Sequence, residues 1–139
     1  MATLFGFMFG AIWYSPKVFL HAWLTGNKMT KDEVPKRSAL YTAQINVYSF
    51  LAHGCMATVL ALLFEIIQVS SYKVAVSLGL LIALGFVVTV QFIEMVYAPK
   101  GVHYEKSSQI KFLVASGYYL GTIAIMSLII FYFACKQQL

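Results

Sequence analysis

Five side chains in this chain have the chemistry of a buried polar site. His53, Gln91 and Glu94 stand inside long apolar runs, and Tyr118 and Tyr119 stand inside another. Ionisable groups within such runs are costly to bury in lipid and are functional candidates by default. Gln91 and Glu94 are three residues apart and share a helix face. Counted from the ends of their segments, His53 lies near mid-membrane. Gln91 lies about seven residues deep, Glu94 about four, and one of the two tyrosines at a similar depth. We expect His53, Gln91, Glu94 and a tyrosine to form one polar layer. It serves either as a satisfied hydrogen-bond network or as a ligand or proton site.

Other chemistry is poorly represented. His21, His53 and His103 fall in different segments, and none has a second ligand at helical spacing. No metal or haem site, and no other cofactor, is expected. There is no Gly-rich phosphate loop and no GxSxG, so no catalytic residues are assigned. Cys55 and Cys135 are not in a CxxC and are expected to be buried thiols. "TKDE", residues 30–33, matches a capping box in a solvated loop.

The elements that must position these groups follow from composition. Of 139 residues, 60% are hydrophobic and 11% charged, against roughly 25% charged in a soluble domain. Mean hydropathy is +0.78. Too few charges exist to coat a water-facing surface, so the lipid bilayer is the expected partner. Four apolar segments stand out: residues 2–14 with a continuation at 16–24, then 43–67, 74–98 and 110–133. The last three are each about 24 residues long, enough to cross a roughly 30 Å hydrocarbon core. The expected fold is all-α, a four-helix transmembrane bundle forming a single integral membrane domain over residues 1–139. No basic n-region precedes the first segment, which is expected to remain as a membrane helix.

The net charge of +5 does not make a nucleic-acid footprint, because the basic residues sit in short loops. They sort by side instead. Loops 25–42 and 99–109, with their flanks, carry eight Lys or Arg, and the opposite side carries Lys73 and Lys136. This bias predicts that both loops face the cytoplasm, or the matrix of a mitochondrial inner membrane, with both termini opposite.

The first segment is interrupted at Ser15-Pro16. Proline lacks an N–H and restricts the residue before it. Ser15 is therefore expected to cap a second helix whose first position is Pro16. Either one helix kinks there, or a short span ends and the continuation lies in the interface. Trp13, Tyr14 and Trp23 suit the headgroup level. Small residues predict close helix packing: Gly6 and Gly10, Gly117 and Gly121, and Gly79, Ala83 and Gly85.

The stretch "GAIWYSPKVFLHAW" resembles the N-terminal signature of the domain-of-unknown-function 1761 family, small four-helix membrane proteins. "GLLIALGF" and "ASGYYLGTIAIMSLII" are similar to that family's Gly-rich third helix and its aspartate-alanine-glycine-tyrosine fourth helix. Ser116 stands about where the family has an acidic residue. The resemblance covers nearly the whole chain. It implies a fold and brings no established activity. The residues themselves favour a non-catalytic protein acting through helix contacts, with other membrane subunits or by self-association. An accessory subunit of a membrane complex, a respiratory one among them, fits. The alternative is a small transporter or channel using the polar layer.

Overall fold

The computed structural model describes residues 1–30, 39–97 and 105–135. Every regular element among them is helical. They are α1 (Ala2–Trp13), α2 (Leu20–Gly26), α3 (Ala39–Ile67), α4 (Tyr72–Ile82), α5 (Thr89–Val96) and α6 (Lys106–Ile130). A π-helical segment, Ala83–Val88, joins α4 to α5 in one rod, and another, Phe131–Cys135, extends α6. Three rods are long and apolar enough to cross a membrane: Ala39–Ile67, Tyr72–Val96 and Lys106–Phe133. α1 has 12 residues, about 18 Å of helix.

The long helices start earlier than their apolar stretches. α3 begins at Ala39 rather than residue 43, because Tyr41, Thr42 and Gln44 continue the helix beyond its apolar part. The rod α4–α5 begins at Tyr72, where Ser71 adopts an extended backbone and its Oγ accepts from the Val74 N–H at 3.3 Å. α6 begins at Lys106 behind Glu105.

Two helix ends carry no glycine signal. After α2, the Met29 N–H bonds the Leu24 carbonyl at 2.9 Å and the Lys28 N–H bonds the Thr25 carbonyl at 3.1 Å. After α3, the Val69 and Gln68 N–H groups bond the Phe64 and Glu65 carbonyls in the same way. These are Schellman motifs. Lys28 (φ 55°) and Gln68 (φ 54°) occupy the left-handed position that glycine usually fills.

α6 is the axis of the bundle. It is the most enclosed of the three long helices and touches every other one. The core faces of α1, α3 and the α4–α5 rod converge on it through Ala2, Ala57, Leu60, Phe64, Ala75 and Ala83, packed with Ile123 and Met126 of α6. His53, Ala57, Leu60 and Phe64 recur at helical spacing on the buried face of α3. Cys55 is exposed on the outward side of that helix, which corrects its expected burial.

Glycines set how closely α1 approaches α6, though no glycine rests on another. Each makes a hole for a large side chain across the interface. Gly10 faces Tyr118, Gly117 faces the Trp13 indole, Gly121 faces the Phe9 ring, and Gly6 faces the end of Met126. In α4, Gly79 faces Ser127, whose Oγ lies where a Cβ would stand. That hydroxyl is buried without a hydrogen-bond partner. Gly85 departs from its expected packing role. It lies in the π segment, is exposed, and a Cβ there would meet nothing within 4 Å.

The break in the first segment is a turn, and its details correct the expectation. Ser15 caps nothing and Pro16 does not begin α2. The helix starts four residues later, at Leu20 behind Phe19. The Ser15 carbonyl accepts from the Val18 and Leu20 N–H groups, and the Phe19 N–H bonds the Trp13 carbonyl at 3.0 Å. These bonds close the turn before helix can resume. The Trp13 and Phe19 rings pack at 4.4 Å across it. Trp13 Nε1 also donates to the Val114 carbonyl at 3.1 Å, pinning the turn to α6.

The first segment does not run straight through. Trp13 lies beside Val114 and Gly117, while Gly26 lies against the Lys111 backbone. Thirteen residues of chain therefore advance only three to six along α6. A continuous helix would advance about 20 Å. α2 crosses the amino-terminal end of α6, and just beyond it Lys28 pairs with Glu105.

Candidate functional site

α3 is longer than the partners that cover it. Between Ala39 and Ala52 only Ile45 and Ser49 are even partly buried. This half of the helix stands off from α1, α2 and α6 and leaves a cleft of about 800 Å³. His53 lies at the inner end of the exposed stretch, where α3 enters the core.

His53 is buried, 6% exposed, and both ring nitrogens are engaged. Nδ1 lies 2.6 Å from the Ser49 carbonyl oxygen and Nε2 lies 2.6 Å from Tyr118 Oη. A carbonyl only accepts, so Nδ1 carries the proton. In the neutral ring Nε2 is then the acceptor and Tyr118 donates to it. Phe7 packs edge-on to the imidazole at 6.2 Å, and Phe9 stacks on Tyr118 at 6.1 Å. A full turn of α3 and a ring from α1 thus hold the histidine.

Tyr118 is the centre of an aromatic cluster. Tyr14 lies 5.2 Å from it and Tyr119 lies 5.1 Å from it, both at tilted angles. Trp23 of α2 packs edge-on to Tyr14 at 6.4 Å. Tyr14, Trp23, Asn46, Ser49 and Tyr119 all line the cleft with His53 and Tyr118. None of its described lining residues is Asp, Glu, Lys or Arg.

The expected single polar layer is two separate groups. Gln91 Oε1 accepts from Ser116 Oγ at 3.0 Å, and Ser116 is buried. Ser116 and Tyr118 are two residues apart on α6 and so project about 200° apart. α6 therefore stands between Gln91 and His53. Glu94 is exposed on α5 and lines a small cavity of about 170 Å³ with Gln91, Ser108 and Lys111. Depth along the membrane brought these residues together in the sequence reading. Angle around α6 separates them in the fold.

Sequence reasoning placed Trp13, Tyr14 and Trp23 at the membrane interface on residue type alone. The structure gives them specific partners, with Tyr14 and Trp23 in the cleft. Asn46 and Ser49 were missed, although both share with His53 the face of α3 that the spacing 46, 49, 53 defines. Gly26 was also missed. A Cβ there would come 2.8 Å from the Lys111 backbone nitrogen.

Among the described residues, no three of His, Cys, Asp and Glu converge as metal ligands. His103 and residues 31–33 of the expected capping box lie outside the described residues. So do the charges of Lys31, Lys36, Arg37, Lys100 and Lys136.

The comparison with protein families decides the kinship. The profile of the family described as Protein of unknown function (DUF1761) matches residues 1–131. The chain belongs to this family. The match runs through the broken first segment, the cleft and the whole of α6, so the site described above is part of the DUF1761 domain. With three helices long and apolar enough to cross a bilayer, this DUF1761 protein is a membrane protein. No curated protein and no solved structure matches it.

Proposed function

We propose that this protein is a non-catalytic component of its membrane, acting as a partner or accessory subunit of a larger assembly. A respiratory complex in an energy-transducing membrane is one such assembly. The working surface in this reading is the cleft between α2 and the amino-terminal half of α3. One observation carries it. His53 and Tyr118 commit their polar groups to each other and to Ser49 at the inner end of an open, aromatic-walled cleft. That arrangement makes a rigid binding wall. With Nδ1 on the Ser49 carbonyl and Nε2 accepting from Tyr118, the imidazole is held in one orientation as part of that wall.

α1 and α2 together complete a fourth crossing in this reading, with loops 25–42 and 99–109 on the cytoplasmic or matrix side. The Lys28–Glu105 pair supports it, since it joins the flanks of both loops at one end of the bundle. A small transporter or channel built on His53, Gln91 and Glu94 is less well supported, because α6 lies between the histidine and the other two.

Purification in mild detergent with mass measurement tests the proposal. The expected result is a stoichiometric partner that is lost when the cleft is filled by Ala52→Trp. A homodimer that moves solute across vesicles, and stops when Glu94 is neutralised, would replace this reading with transport.

A further inference from the structure

The cleft has a volume of about 800 Å³, within the range of about 300–1,000 Å³ typical of small-molecule sites. Its chemistry is selective. An ammonium or carboxylate in it would meet no counter-ion among the described lining residues, and burying an unpaired charge is costly. The described lining therefore suits an uncharged occupant. The site also has hydrogen-bond donors to spare. Tyr118 gives its proton to His53, but the phenols of Tyr14 and Tyr119 flank it with no hydrogen-bond partner among the described residues. Two free donors beside a committed third call for an acceptor-rich head group. The walls are the rings of Tyr14, Trp23, Tyr118 and Tyr119, which favour a flat ring by stacking or edge contact. Since the cleft lies among membrane helices, its occupant is lipid-soluble.

We propose that the cleft binds an uncharged, lipid-soluble ring compound whose carbonyl oxygens accept hydrogen bonds from Tyr14 and Tyr119. This rests on the cleft being the working surface, and it adds the class of ligand. Only binding is inferred.

Equilibrium dialysis of the full chain in nanodiscs, against empty nanodiscs of the same lipid, tests it with ubiquinone-1 as probe. The expected result is saturable excess binding. Tyr14→Phe and Tyr119→Phe should each weaken it about three- to tenfold, the worth of one hydrogen bond. Ala52→Trp should abolish it, and Tyr72→Phe, outside the cleft, should leave it unchanged. A sulfonated naphthoquinone should not bind. Thermal midpoints in the same nanodiscs confirm that each variant is folded. Absence of excess binding, binding indifferent to all three cleft substitutions, or equal binding of the sulfonated compound overturns the proposal. The two readings fail separately. If Ala52→Trp releases a partner but ubiquinone-1 never binds, the ligand class falls and the accessory role stands. If ubiquinone-1 binds and no partner is found, the reverse holds.

Discussion

His53 Nε2 and Tyr118 Oη meet at 2.6 Å, across a sequence separation of 65 residues, and join α3 to α6 at the inner end of the cleft. Tyr118→Phe removes the donor and keeps the ring. The expected loss is small, about 0.6 kcal/mol, because intramembrane hydrogen bonds average that much. His53→Ala should cost more, since it also empties the space between Phe7 and Gly6. Thermal unfolding in detergent measures both. Imidazole ¹⁵N shifts should show Nδ1 protonated and Nε2 bare. The opposite tautomer would contradict the Ser49 assignment.

Glycine substitutions should divide by what surrounds them. Gly26→Ala drives a methyl into the Lys111 backbone, which cannot swing aside. It should destabilise by about 1–3 kcal/mol, the usual cost of overpacking. Gly85→Ala meets open space and should be neutral or stabilising, by up to about 1 kcal/mol, from helix propensity. Thermal midpoints of the two variants should fall on opposite sides of, or at, the parent value. A destabilising Gly85→Ala would mean that the π segment needs the missing side chain.

The turn after α1 is held by rings and backbone, with no serine cap. Ser15→Ala should therefore change thermal stability little, and Pro16→Ala likewise. Phe19→Ala removes the ring packed 4.4 Å from Trp13. It should cost more than either, and it should alter Trp fluorescence because Trp13 loses its neighbour. If Ser15→Ala proves the worst of the three, the side-chain cap exists after all.

Glu105 predicts a pH response outside the membrane. The Lys28 ammonium holds its carboxyl below the usual carboxylate range, with a smaller contribution from the Ser107 hydroxyl, 3.2 Å away. Its folded pKa is thus lower than its unfolded one. The pair's stabilisation is present above the ordinary glutamate pKa and is lost as pH falls through the lowered value. Thermal stability should respond to this pair only below about pH 4.5, the ordinary value. Glu105→Gln should remove that part of the acid response, and its effect at neutral pH should be small because the pair is exposed. An unchanged acid profile in the variant would show that the pair contributes nothing.

The all-α architecture and the three long spans were legible in the sequence, because a run of apolar residues about 24 long has one stable form in lipid. Every backbone group must be satisfied within the segment, and a helix does that locally. Kinship with the DUF1761 family was legible too, through the "WYSP" break and the glycine spacing of the third and fourth helices. Helix ends were less so. Lys28 and Gln68 end their helices in the left-handed conformation without a glycine to announce it, and the turn at Ser15 is closed by rings from Trp13 and Phe19 rather than by a cap. The site was half legible. Residue type singled out His53 and Tyr118, and counting along each helix put them at one depth. That counting carries no information about angle. Which face of α6 meets which neighbour depends on how large side chains enter the holes at Gly10, Gly117 and Gly121, and that is a property of the assembled bundle. Tertiary packing therefore sent Gln91 to Ser116 and left Glu94 apart. It also opened a cleft beside His53, because α3 outruns the helices that cover it.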